Sequence, residues 1–547
     1  MGVSGPRMDR ARWVGMSIQH NSGEEPMPPN GGWILFTTIL GSSLAFIDGT
    51  VVNVALPFLQ QDLDASATGV QWVVQAYSLF LASLILVGGS LGDRLGRRKM
   101  YLVGVIVFTV ASAAAAAAPN LETLIGARIL QGIGGALLIP GSLSIISAQW
   151  TGAARGVAIG TWAGFTSITS AIGPVLGGFL VEQLSWRSVF FINLPIAVIV
   201  VVTCVIFVPE SRSSKVTGPI DWAGAALVTI SLGGLVFGFT QAASSGWVDA
   251  MTIGSLAVAL VSGAIFLAVE RRVEEPMVEL SLFRSRTFTG TNLLTLLVYA
   301  GLGGALYYLP FNLVQVQDYS ATAAGAALLP FVLVMFAGSR WAGGLIGRFG
   351  ARLPLVIGPV ITGFGYLLFA LPDGDGSYWT TIFPATVVLG VGMTITVAPL
   401  TTTVMDAVDN RYSGLASGVN NAVSRAGGVL AIALFSIIML GTFNTSLKED
   451  LSDLSLNEDV SATIEASRDE LAGMPVPASL EEGQRQVFRN AVNDAFTEGY
   501  RLVMMVSALI AFLGAGIAAM TVPGGKTIDC GIGEPAPMLQ SGGTSAS

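Results

Sequence analysis

The chain has 547 residues, of which 52% are apolar and 11% charged, and its mean hydropathy is +0.68; about a quarter of an ordinary soluble domain is charged, so a soluble protein is excluded. Two cysteines and one histidine exclude clustered metal sites and thiol or imidazole catalysis, which need several such residues together. The net charge of −8 sits in one stretch: residues 442–499 hold twelve acids and four bases and the remainder balances, leaving no basic patch for nucleic acid.

Residues 1–30 are polar and rich in Pro and Gly, with Arg7, Arg10, Arg12 and His20 but no apolar run directly behind the arginines. They predict a disordered cytosolic tail rather than a cleaved signal peptide, and Pro6 stands where a myristoylation site needs Ser or Thr. Fourteen apolar runs follow, each matching the roughly 20 residues of a membrane helix: 33–57, 69–91, 101–118, 121–143, 156–180, 189–208, 222–241, 251–269, 287–313, 321–346, 354–371, 378–402, 414–440 and 502–522. Cys204 lies in the sixth run and Cys530 in the tail, and both read as inert thiols. Within the acidic segment 442–499, Ser479 and Glu482 resemble a capping box, with Leu480, Val487, Phe488, Ala491, Ala495 and Phe496 at helical spacing, which predicts a helical hairpin on the outer face. Residues 523–547 predict a second disordered cytosolic tail. Its Gly524-Gly525-Lys526-Thr527 is no phosphate loop, because Met520 stands at the required first glycine and no strand precedes it.

With the amino terminus inside, the cytosolic segments hold 19 Lys and Arg against six outside, so the positive-inside rule places both termini in the cytosol. A repeat then organises the helices. Gly89-Ser90-Leu91-Gly92-Asp93-Arg94-Leu95-Gly96-Arg97-Arg98 follows the second run, and Gly343-Gly344-Leu345-Ile346-Gly347-Arg348-Phe349-Gly350-Ala351-Arg352 follows the tenth, 254 residues later. One cytosolic turn used twice, eight helices apart, implies two six-helix halves with two inserted helices. The expected divisions are 31–209, 210–285 for the insertion and its linkers, and 286–522.

Asp48 is the only acid deep in any run. An intramembrane ionisable group is functional by default, and apolar surroundings favour the neutral form and permit proton exchange; the alternative is a structural acid that joins two helices. Arg128 enters its run from the outer side at a depth within about 3 Å of Asp48, counted at 1.5 Å per residue. An arginine keeps its proton, so its part would be to favour ionised Asp48 in one conformation and withdraw in another, unless it only binds carbonyls. Arg425, mid-way along the thirteenth run, has no acid at its depth in the second half, and a carbonyl or cross-half contact is expected. Asp93, Arg94, Arg97 and Arg98 of the first loop are expected to pair between helices or anchor at the membrane surface, and Gly173, Pro174, Gly177 and Gly178 to allow close helix approach. Gln71, Trp72, Gln75, Tyr77, Trp162, Phe165, Asn292, Tyr299, Tyr307, Asn312 and Asn420 are candidates for a cavity that takes flat lipophilic ligands.

Together these motifs resemble the fourteen-helix drug:proton antiporter branch of the major facilitator superfamily. The run Phe46-Ile47-Asp48-Gly49-Thr50-Val51-Val52-Asn53 is similar to that branch's first-helix signature, and the Gly89 to Arg98 loop to the superfamily's most diagnostic motif. Leu124 to Gly134, containing Arg128 and Gln131, resembles its proton-linked arginine motif. Gly173-Pro174-Val175-Leu176-Gly177-Gly178 is similar to the core of the antiporter motif, and Trp186 to Pro195 to another mark of the branch. Thr169 departs from the glycine usual in the antiporter motif, and Gly347 replaces the acid in the second loop copy. The resemblance implies an all-α membrane protein of the major facilitator fold in a bacterial inner membrane. It would export lipophilic, often cationic drugs or dyes by alternating access, in exchange for protons and without a cofactor. A dedicated exporter of one metabolite, siderophore or antibiotic, a periplasmic adaptor, and more remotely a membrane receptor or scaffold are compatible with the same residues; a membrane enzyme lacks a constellation of nucleophile, base and metal ligands.

Overall fold

The computed structural model describes residues 28–524 except 151, 213–220, 274–275, 277, 372–376, 409–412, 452–463, 465–466 and 478; both predicted tails lie almost wholly outside the described residues. The described residues form helices and turns with no strand. In chain order the helices are α1 (Gly31–Asp62), α2 (Ala67–Leu95), α3 (Arg97–Ala116), α4 (Leu121–Gln149), α5 (Gly152–Gln183), α6 (Ser188–Phe207), α7 (Trp222–Ser245) and α8 (Ala250–Glu270). Then come α9 (Arg286–Phe311), α10 (321–349, in three abutting segments), α11 (Arg352–Phe369), α12 (Ile382–Asp406), α13 (Ser413–Asp450) and α14 (Glu482–Thr521). Thirteen are long and apolar enough to cross a membrane. The fourteenth, α5, has 32 residues and no charge between Arg155 and Glu182, so it also exceeds the thickness of a bilayer core.

Helices in lipid gain little from apolar burial against one another and associate where small residues let backbones meet. A Cβ on Gly88 of α2 would fall 1.9 Å from the Ala136 carbonyl oxygen of α4, and one on Gly134 of α4 2.6 Å from the Phe108 nitrogen of α3. In α1–α6 the packed pairs include α2 with α4, α3 with α4, α1 with α5, α1 with α6 and α3 with α6. Shifted by eight helices, the same five pairs recur in α9–α14: α10 with α12, α11 with α12, α9 with α13, α9 with α14 and α11 with α14. The bundle is therefore two six-helix halves of one topology. They meet along two seams, α2 against α13 and α5 against α10.

The inserted pair lies at the edge. α7 packs on α2 and α13, where Leu79, Val236, Val429 and Ala433 form a small apolar core, and α8 packs on α7. Their spanning windows are 28% and 17% buried, against 67% for α1 and α2, so most of their surface is left for lipid.

The acidic segment departs from its expected form. α13 continues to Asp450 and α14 starts at Glu482, so both arms of the expected hairpin are uninterrupted continuations of membrane helices. The capping box is made by Glu481 and Gln484 instead of Ser479 and Glu482. Apolar residues of the upper α14, Phe488, Ala491, Val492, Ala495 and Phe496, are buried in the large core, which explains how the helix persists through charged sequence. Between the arms, a short turn at Arg468–Gly473 lies over the bundle end: Gln60 Nε2 of α1 donates to the Glu470 carbonyl at 3.0 Å, and Gln315 Nε2 donates to Gln60 Oε1 at 3.2 Å. Burial, reinforced by nearby Asp64, holds the Glu470 carboxyl above its usual range.

Candidate functional site

Asp48 lies in the middle of α1, fully buried, with every recorded bond made to its carboxylate by a donor. Arg128 of α4 donates NH1 to Oδ2, Gln131 Nε2 donates to Oδ1 at 3.1 Å, and Asn193 Nδ2 of α6 donates to the same oxygen at 3.2 Å. An ionised carboxyl only accepts, so three donors and, among the described residues, no acceptor are the pattern of the charged form. Ser112 of α3 ties the outer side of the cluster, accepting from Gln131 Nε2 at 2.7 Å and Asn193 Nδ2 at 3.2 Å.

Arg128 uses its planar fork in several directions. Nε donates to the Val73 carbonyl of α2 at 2.9 Å and NH1 also reaches Gln131 Oε1 at 2.8 Å. Its guanidinium carbon lies 4.3 Å from the Tyr77 ring centroid and 5.7 Å from that of Phe190. Removing either member of such a buried pair strands the other charge, at a cost of about 3–5 kcal/mol. Access comes from one side. Gly49, the residue after Asp48, is exposed, and a Cβ there would meet no atom within 4 Å. The helix face beside the Asp48 carboxylate is therefore open.

The depth argument from sequence thus brings Asp48 and Arg128 into contact. Gln131, Asn193 and Ser112 were not assigned: Gln131 is three residues from Arg128 and Asn193 follows the Trp186–Arg187 pair, so both had a positional signal, whereas Ser112 sits in an alanine-rich run with none. Several of the cavity candidates are spent on bonds to neighbouring helices. Trp162 Nε1 donates to Ser42 Oγ at 3.0 Å, and the Tyr77 hydroxyl to the Ala45 carbonyl at 3.2 Å. Asn420 Nδ2 donates to Asn292 Oδ1 at 3.2 Å and Thr295 Oγ1 at 2.6 Å, joining α13 to α9. Phe165 is 52% exposed. Gln71 lines a small hollow with Tyr307, Tyr308 and Phe311 near the acidic-segment turn, and Gln75 is buried with both amide atoms unbonded. Tyr299 and Tyr77 lie within electrostatic reach of Arg425.

The loop motif forms one end of the bundle. Arg97 Nε donates to Asp93 Oδ1 at 2.8 Å across the α2–α3 junction, and Arg98 NH1 to the carbonyl of Val208, the residue that follows α6, at 3.1 Å. Glu210, also unassigned from sequence, caps α3 by accepting from the Arg98 and Lys99 nitrogens, both at 3.1 Å. Gly96 turns the chain at φ +117°, and Gly350, 254 residues on, turns its copy at φ +75°. Gly96→Ala is expected to destabilise the protein by about 1–3 kcal/mol, because its Cβ would also lie 2.9 Å from the Glu210 carboxylate. Gly92→Ala, with open space at its Cβ, should be neutral. Thermal unfolding of both variants reads the difference, and equal melting temperatures would refute the turn argument.

The opposite end is sealed across the halves. A Cβ on Gly178 of α5 would lie 2.2 Å from the Ala321 oxygen of α10, and one on Gly325 of α10 2.1 Å from the Pro174 oxygen. Glu182 accepts from the Thr322 nitrogen at 3.1 Å. Gly173 and Gly177 face Thr50 and Val51 of α1, so the glycine motif packs α5 on its own half and on the other at once.

A family model described as Major Facilitator Superfamily matches residues 38–432. The chain is 30% identical to a tetracenomycin C resistance and export protein of Streptomyces glaucescens, over 89% of this chain and 91% of that protein. It is 32% identical to the multidrug efflux pump LfrA of Mycolicibacterium smegmatis, over 90% and 96%. Among solved structures, a bacterial homologue of the human lysosomal transporter Spinster, in an inward-facing and unoccupied conformation, superposes with a TM-score of 0.61 at 16% identity, covering 90% of this chain and 98% of that one.

Proposed function

The chain belongs to the Major Facilitator Superfamily, and from that premise we propose that it is a proton-driven exporter of lipophilic small molecules, working by alternating access in a bacterial plasma membrane. The observation that carries the reading is the closed set of donors around Asp48 beside an open helix face at Gly49. The names of the curated relatives, a tetracenomycin C export protein and a multidrug efflux pump, support export of antibiotic-like cargo. The basic loop end is the cytosolic end by the positive-inside rule, so the sealed end is the outer one and the conformer admits cargo from the cytosol.

Cargo enters while Asp48 is ionised and held by Arg128. When the halves rock and the α5–α10 seal parts, the cargo leaves and Asp48 takes a proton from outside. Neutral Asp48 no longer holds the guanidinium, which retains the Val73 carbonyl and Gln131 Oε1. On return the proton passes to the cytosol and the ion pair re-forms. One carboxylate thereby links an inward proton to an outward cargo.

In energised inside-out vesicles, Arg128→Lys should reduce uptake about tenfold, the worth of one lost charge-assisted hydrogen bond, and move the pH profile of transport. An ammonium cannot span Val73, Gln131 and Asp48 together. An unchanged profile would reduce Arg128 to a packing residue.

A further inference from the structure

We infer that Arg425 recognises an acidic group on the cargo, so that the preferred substrates are lipophilic organic anions, carboxylates or acidic phenols on an aromatic frame. This rests on the exporter reading and specifies its cargo. Arg425 lies in α13 twelve residues from that helix's loop-motif end, at the seam where α13 meets α2 and α9. Tyr77 of α2 and Tyr299 of α9 are its electrostatic neighbours. Among the described residues no hydrogen bond, ion pair or ring-face contact engages its guanidinium, and its Nε is buried without a partner. The residue as a whole is only half-buried, so part of its surface stays open. Asn421, one turn nearer the loop-motif end, is exposed and marks the way in.

A fixed cation at mid-membrane is costly unless it meets an acceptor. The protein's own deep acid is unavailable, since Asp48 is already held by Arg128, Gln131 and Asn193. Gln75, one turn from Leu79 of α2, which packs with Val429 of α13, is also buried with both amide atoms unbonded. A ligand that brings an anionic oxygen satisfies the guanidinium by a charge-assisted bond, its rings pack at the seam beside Tyr299, and a carbonyl or hydroxyl can use Gln75. A cationic ligand meets Arg425 as a like charge in a site of low dielectric. The family resemblance alone implied frequent cationic cargo, and the local charge favours the opposite sign.

The test is equilibrium dialysis of three matched probes against the purified full-length protein in detergent, without any gradient: anthracene-2-carboxylate, its uncharged carboxamide and the cationic 2-aminomethyl analogue. The wild type should bind the carboxylate at least about tenfold more tightly than the other two. Arg425→Gln should lose that preference with carboxamide affinity unchanged, and Arg425→Lys should keep part of it. Equal wild-type affinities, a preference for the cation, or a uniform fall for all three probes in Arg425→Gln would overturn the inference. If Arg425→Gln does not fold, the wild-type series and Arg425→Lys decide. A carboxylate preference without proton-driven transport would refute the exporter reading alone, and normal transport without the preference would refute this one alone.

Discussion

Asp48→Asn is expected to reduce proton-driven accumulation of substrate to the level of empty vesicles while leaving the protein inserted and able to exchange substrate across a de-energised membrane. The amide keeps the size of the carboxylate and one acceptor oxygen, but it cannot carry a proton. It also turns one of the oxygens now contacted by Arg128, Gln131 and Asn193 into a donor facing donors, and leaves Arg128 without its counter-charge. That stranded charge costs about 3–5 kcal/mol, enough to threaten folding, so the double variant Asp48→Asn/Arg128→Gln is the necessary companion. It removes both charges and should fold at least as well as the single variant, again with no coupled transport. Radiolabelled substrate uptake under a pH gradient, set against counterflow without one, separates coupling from binding. Wild-type gradient-driven uptake in either variant would remove Asp48 from the proton path.

The second large effect is expected from Gly178→Ala. The added methyl would sit 2.2 Å from the Ala321 backbone oxygen, and backbone cannot give way without parting α5 from α10. Overpacking of this kind costs about 1–3 kcal/mol, and here the strain falls only on the conformer with this seal closed. The variant should therefore fold in the open-outward arrangement and lose at least about tenfold in transport, because 1.4 kcal/mol already shifts a conformational equilibrium tenfold. Cysteines placed at Glu182 and Thr322, whose carboxylate and backbone nitrogen lie 3.1 Å apart when the seal is closed, should be joined readily by a short bifunctional thiol reagent in the parent chain and poorly beside Gly178→Ala. Undiminished cross-linking would show that the seal tolerates a side chain and that the glycine has another purpose.

The parts that the sequence made legible are those a bilayer imposes. A membrane helix needs about 20 apolar residues and tolerates few charges, so the spans could be counted, and a lone acid and an arginine at one depth could be paired by helix rise. The 254-residue loop repeat located the inserted pair because Gly96 and Gly350 are both held at positive φ. Above the membrane that logic lapses. Residues 482–499 carry enough charge to end the last apolar run, so their helical spacing predicts an arm of a separate hairpin, yet α14 runs through them unbroken because one of its faces still meets the core. Among the polar candidates composition gives depth but not partners: Trp162, Asn292 and Asn420 are each taken up by a bond to a neighbouring helix. Ser112 and Glu210 acquire their parts only from residues distant in sequence.

The most direct test of proton-coupled export is the response of vesicle pH to cargo. Inside-out vesicles containing the wild-type chain are acidified internally, the electron-transport supply is cut off, and a lipophilic substrate is added while a fluorescent weak base reports the interior. If inward proton flow through Asp48 drives cargo outward, each addition will raise the internal pH within seconds, in proportion to the cargo taken up, and vesicles carrying Asp48→Asn will not respond. Uptake of the cargo with no change in internal pH, or an equal pH change in Asp48→Asn, would contradict it.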